Sequence, residues 1–505
     1  MENLSNELFY EIFEYLDGCH IYGAFSNLNN HFNELLNSPS LLFKIRIYSL
    51  YNESYMDLYK QLILINKDKI ISFDLCLSIE NTDEFLSSYS IDSLFTRLES
   101  LSLSNIESTI LTSILSNLTG LPHLFSLTID TQRASGDLSE VYRLIFMLPK
   151  LKYVKYSADE CAASVSLPFA TNEQLSSIEY FFIDHGCTIK ELCILTSYTP
   201  QIRHLKMTNL SENYSIHEMI SPISLINLTY ISIESCTITF DEFEMFITQT
   251  KCNLKVLRIN IHSDDTDYLD DHRWEQLISE YLPKLKKFYV EYFQDIDPES
   301  GCSLDYEPSQ RFTSLFWIKR KWVFELEMNS SDITYKIGSY KKRWYDINSS
   351  IKLSKPTRLI IENYDKYIEV LNLTIRDILA VTQIYHLEVS KYISSDMLLY
   401  LIHKFSATDS LKISSLYIDE QNIRVVSNKN VITKVYLENI NGIDEVYFLM
   451  RLCPRMKFLK INLVNEINYE LYLKNILTKV KQNSNKYHRS LCLYNPMADN
   501  KMVEK

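Results

Sequence analysis

Two short stretches carry side chains whose types and spacing could do chemistry. Asp184-His185-Gly186-Cys187 sets an imidazole and a thiol two residues apart, the pair a cysteine nucleophile uses when the histidine takes its proton. Spacing places no third group beside them, and the apolar alternation leading into them predicts the end of a strand and its turn. The acidic run DDTDYLDDH at 264–272 offers carboxylates for calcium. It lacks the central glycine and terminal glutamate of an EF-hand loop, so a solvated loop is expected there. The chain has no G-x-G-x-x-G, phosphate-binding lysine loop, H-E-x-x-H or G-x-S-x-G. Its 10 cysteines include no C-x-x-C, and the closest pairs are Cys187/Cys193 and Cys236/Cys252. Zinc ligands are usually grouped more tightly, so buried thiols are expected instead. No metal, cofactor or enzymatic activity is expected.

Composition narrows the class further. The 505 residues are 46% hydrophobic and 12% aromatic, too apolar for a disordered chain. Eight glycines exclude collagen-like order. No uninterrupted apolar stretch of about 18 residues is available to span a membrane. The first 20 residues hold five acids and no base, so neither a secretory signal nor a transit peptide is expected and the compartment is cytoplasm or nucleus. A net charge of −13 argues against general nucleic-acid binding, which needs surplus Lys and Arg.

The elements that would position any site come from a repeat. An apolar-x-x-apolar-x-apolar frame recurs as LESLSL at 98–103, LFSLTI at 124–129, IRHLKM at 202–207, LKVLRI at 254–259 and MKFLKI at 456–461. Its middle residues form the series Leu101, Leu127, Val154, Phe181, Leu205, Ile231, Leu257 and Phe288, then Leu359, Leu387, Leu411, Val435 and Leu459. The steps are 24–28 residues apart from one of 31 and the break before Leu359, inside the leucine-rich-repeat range. Pro122, Pro149, Pro200, Pro283 and Pro454 each fall five residues before an anchor, marking one helix-to-strand junction. The expected fold class is α/β: a leucine-rich-repeat solenoid, with a curved parallel sheet and outer helices. Repeats are expected over 51–294 and 356–495, separated by a β-hairpin-rich insertion at 295–355 and followed by a flexible tail at 496–505.

The insertion carries FWIKRKWVFELEM, DITYKI and KKRWYDI, read as hairpin strands, with basic clusters at 319–321 and 341–343. Those lysines could bind an anion, although protection of an exposed hairpin edge is the favoured role. Residues flanking the anchors should face outward. These 26 positions hold eight Lys or Arg and one acid. Tyr153, Lys155, Tyr180, Phe182, His204, Lys206, Tyr230, Arg258 and Lys287 are therefore candidate substrate contacts on the concave face, suited to an acidic or phosphorylated protein segment.

Residues 1–50 do not follow the repeat. Leu4, Leu8, Ile12, Phe13 and Leu16 share one helical face, Ile21, Phe25, Leu28, Phe32 and Leu35 suggest another helical segment, and Leu41, Leu42 and Ile45 a third. The opening LSNELFYEIFEYLDGCHIYGAFSNLNNHFNELL resembles an F-box, with Ser5 where a proline is usual and Phe32 where a tryptophan is usual. An F-box followed by leucine-rich repeats is a known family arrangement. The resemblance implies a small all-α module that binds the Skp adaptor of a cullin–RING ubiquitin ligase. Leu4, Leu8, Ile12, Phe13, Leu16, Ile21, Leu28 and Phe32 would supply the adaptor contact or its internal support, and the repeats would hold an unidentified protein substrate. The alternative is a repeat scaffold whose N-terminal helices only cap the solenoid.

Overall fold

The structure is a computed structural model. It describes residues 5–48, 53–76, 85–86, 91–131, 136–158, 163–212, 223–296, 311–346, 357–362, 368–418, 431–462, 474–475, 478 and 490–494. The fold is mixed α/β on mostly parallel sheet. The chain divides into two units, residues 1–259 with 277–285, and residues 260–276 with 286–505.

In the first unit, apolar alternation produces short strands and the intervening helices carry the chain back. Strands Phe43–Tyr48, Ile70–Cys76, Ser100–Ser104, Ser126–Thr131, Tyr153–Ala158, Tyr180–Thr188, His204–Ser211 and Tyr230–Cys236 pair in parallel, each with the next. Their register aligns Ile45, Phe73, Leu101, Leu127, Val154, Phe181, Leu205 and Ile231 as successive cross-strand neighbours. All eight are buried, and each contributes on the order of 1.5–3 kcal/mol of apolar burial. Pro149 lies between helix Ser139–Phe146 and strand Tyr153–Ala158, and Pro200 between helix Ile189–Ser197 and strand His204–Ser211. Prolines thus mark the helix-to-strand junction, as their spacing predicts. The opposite junction is fixed by reciprocal caps: Thr188 with Glu191, and Thr239 with Glu242, satisfy the first free N–H groups of their helices.

In the second unit, strand Asp332–Ser339 runs antiparallel between Lys287–Asp295 and Trp322–Met328. The sheet is parallel from Trp322–Met328 onward, through Arg358–Ile361, His386–Ser394, Ser410–Tyr417, Lys434–Asn439, Phe458–Asn462 and Ser490–Tyr494. Here Leu326, Leu359, Leu387, Leu411, Val435, Leu459 and Leu491 share one register line.

Four local expectations are corrected. Residues 43–48, which follow Leu41 and Leu42, form a strand rather than a third helical segment. Phe43, Ile45 and Ile47 point inward while Lys44, Arg46 and Tyr48 point out, a period of two too short to stand out in the sequence. Within 295–355, Leu315–Arg320 is helical, ended by Lys321 in left-handed conformation at φ 55°. Within KKRWYDI, the described residues 341–346 form no strand but a turn. Neither strand of the hairpin is an edge, because each has a partner on both sides, so the basic clusters do not guard one. The tail at 496–505 lies outside the described residues.

Candidate functional site

Three short helices open the first unit: α1 (Asn6–Phe13), α2 (Gly18–Phe25) and α3 (Asn30–Asn37). Asp17 caps α2 by accepting from Cys19 N at 2.8 Å, and its other oxygen accepts from Arg46 N at 2.7 Å. One carboxylate therefore ties the helices to the first strand. Asn29 caps α3 through Phe32 N at 2.9 Å. Phe9, Phe13, Ile21 and Phe32 are buried. Phe9 meets Phe32 edge-on at 5.1 Å, while Phe25 lies 5.1 Å from Phe13 and 4.9 Å from Phe32.

The candidate adaptor residues divide into two groups. Phe13 (2% exposed), Ile21 and Phe32 (1%) are internal support. Leu8 and Ile12 (44% each), Leu16 (37%) and Leu28 (60%) are open to solvent. Leu8, Ile12 and Leu16 recur every four residues, so they form one stripe along α1 and the turn after it, with Tyr15 exposed alongside. Leu4 lies outside the described residues.

On the outward face of the first unit, the register sets Tyr153, Tyr180, His204 and Tyr230 in one line across four strands. The Tyr180 and His204 rings stack at 4.5 Å, with Tyr153 and Tyr230 following at 6.4 and 5.4 Å. Burial and the neighbouring Arg203 hold the His204 imidazole below its ordinary pKa, so it joins this line as a neutral ring. A second line runs Lys155, Phe182, Lys206. The two ammonium groups sit 5.0 and 4.3 Å from the Phe182 ring centre, a double cation–π contact.

The strip is less basic than the flanking columns suggest. Lys155 lies 3.3 Å from Asp184 and Lys206 lies 2.7 Å from Glu234. Both acids stand farther along their strands, in a row that the residues next to the anchors do not include. The sequence signal for this pairing was available, since the acids occupy the next outward position of the strand. Arg258 is exposed on the adjoining strand. Lys287 is exposed and belongs to the second unit.

Part of the second unit's outward face is covered by its own chain. Glu388 accepts both guanidinium N–H groups of Arg358 at 2.9 and 2.6 Å, and lies 3.9 Å from Lys412. Over this cluster folds the turn following strand Asp332–Ser339. The Trp344 indole N–H donates to Glu388 at 3.3 Å and its ring lies 5.4 Å from Tyr436. Tyr345 stacks on His386 at 3.9 Å, and Arg343 pairs with Glu325. Sequence reasoning missed this site because it joins residues some 40 positions apart.

The two stretches with potential chemistry are structural. His185 is buried, donating from Nδ1 to the Gly186 carbonyl at 2.7 Å and accepting the Tyr142 hydroxyl at Nε2 over 2.5 Å. Burial drives the Cys187 thiol far above its usual range, against the thiolate a nucleophile needs. In the acidic run, Asp265 and Asp270 accept backbone N–H groups, Asp267 pairs with Arg273 at 2.7 Å, and Asp271 accepts from Phe312 N at 3.0 Å. The run is thus partly built into the fold, with Tyr268 and Leu269 buried, rather than being wholly solvated.

No described helix is long and apolar enough to cross a membrane. No protein-family model and no curated protein matches the chain.

Proposed function

We propose that this chain is a non-catalytic substrate receptor of the F-box and leucine-rich-repeat kind, the recognition subunit of a Skp–cullin–F-box ubiquitin ligase. In this reading the in-register strands and returning helices are repeats of a solenoid. The N-terminal helices dock on the Skp adaptor, and the outward sheet face holds a protein substrate. The observation that carries it is the stripe Leu8, Ile12 and Leu16, turned to solvent while Phe9, Phe13 and Phe32 close the module beneath. An amphipathic helix presenting such a stripe fits a hydrophobic groove. Helices that served only to cap the repeats would turn these side chains inward. Catalysis would belong to the partner enzyme, and the receptor would act by raising the local concentration of substrate lysines.

Co-purification with the Skp adaptor tests the reading. Wild-type protein recovers the adaptor, and the exposed-face variant carrying Leu8→Asp and Ile12→Asp loses it while keeping its thermal transition. Wild-type protein that recovers no adaptor would favour the scaffold.

A further inference from the structure

The turn after strand Asp332–Ser339 lies on the positions that, by register, form the outward face of the second unit. Arg358, His386, Glu388 and Tyr436 belong to the same flanking columns that in the first unit leave Tyr153 and Tyr180 exposed and Lys206 half-buried. In the second unit His386, Glu388 and Tyr436 are buried.

We infer that Arg343–Asp346 is a strap filling, in cis, a peptide-binding face of the second unit. The same face would accept in trans a segment of the strap's own chemistry, a basic residue followed by two adjacent aromatic residues. The inference goes beyond the adaptor contact and rests on the receptor reading only for the role of the outward face.

Three features support it. The contacts are those of a bound peptide: a charge pair to Glu325, an indole N–H to Glu388 and a ring stack on His386. The face also remains satisfied without the strap. Glu388 keeps the two-pronged Arg358 and nearby Lys412, Glu325 keeps Arg358 at 3.6 Å, and His386 keeps Ser410 Oγ at 2.6 Å. Lifting the strap therefore strands no buried charge, the event that would make release costly. Finally, the strap holds by one buried anchor, Tyr345, while Trp344 is half-buried and Lys341 and Lys342 before it are exposed.

The test uses the full chain and a fluorescently labelled peptide copying residues 341–346. A variant with Arg343→Gly, Trp344→Gly and Tyr345→Gly empties the face. It should bind the peptide at least about tenfold more tightly than wild type, whose face is already filled. Glu388→Gln on that background should weaken binding, and a scrambled peptide with separated aromatics should not bind. An emptied chain with an intact thermal transition that fails to bind, or that binds no better than wild type, overturns the inference. Should the triple variant not fold, Trp344→Ala alone must still raise peptide affinity, and equal affinity for it and wild type overturns the inference as well. Skp capture by the same variants is a separate readout, so a failed strap and a failed receptor reading are told apart.

Discussion

The Tyr142 hydroxyl donates to His185 Nε2 across 2.5 Å inside the first unit, while His185 Nδ1 is committed to the Gly186 carbonyl. Nδ1 must donate to the carbonyl, so in the neutral ring Nε2 is left to accept the Tyr142 hydroxyl. Burial is the main cause of the lowered His185 pKa, outweighing the Gly186 carbonyl and the acids Glu191 and Asp184, which act the other way. The folded pKa lies below the unfolded value of about 6.5, so this contribution to stability is complete above that pH. It falls as acid protonates the unfolded chain. His185→Gln should flatten the decline in denaturation midpoint between about pH 6.5 and 5 relative to wild type. Parallel curves for the two proteins would count against the assignment.

Ile12 and Phe13 are adjacent in sequence and face opposite ways. Phe13→Ala should cost about 3–5 kcal/mol in chemical denaturation, because it removes a ring from a packed aromatic cluster. Ile12→Ala should stay within about 0.5 kcal/mol of wild type. Equal losses would mean that the module packs through the other face.

Glu191 does more than cap its helix. One oxygen accepts from Thr188 N and Thr188 Oγ1, both at 2.8 Å, and the other accepts from Val165 N at 2.7 Å. Thr188→Ala should cost about 1 kcal/mol, the usual value of a lost cap. Glu191→Ala should cost more, because the Val165 N–H also loses its acceptor. Thermal or urea unfolding of the two variants ranks them, and the reverse order would refute the dual role.

An acidic ligand on the first unit's strip must compete with Asp184 and Glu234 for Lys155 and Lys206. Charge reversal by Lys155→Glu, Lys206→Glu and Arg258→Glu should weaken substrate capture, most strongly at low salt. Asp184→Asn with Glu234→Gln should strengthen capture of the same ligand. Pull-downs at two salt concentrations that show no change for either set would remove the acidic-segment reading.

Local chemistry made much of this molecule legible before any coordinates. The period of the anchors, the five prolines and the alternating strands follow from burial and backbone geometry within about 25 residues, and parallel pairing then follows from the returning helices. Strand Phe43–Tyr48 escaped because its three inward residues were too few to separate a period of two from a helical one. Whether an apolar residue on α1 serves the module or a visitor could not be read from spacing. Leu8, Ile12 and Phe13 all fit one broad helical face, and only the placement of α2 and α3 decided which of them Phe25 and Phe32 would cover. The strap laid over Glu388 likewise depends on how the turn at 340–346 falls. Periodicity thus determined the elements and their inward faces. Tertiary packing alone decided what each outward face keeps free, because solvent exposure is set by neighbours that are distant in the chain.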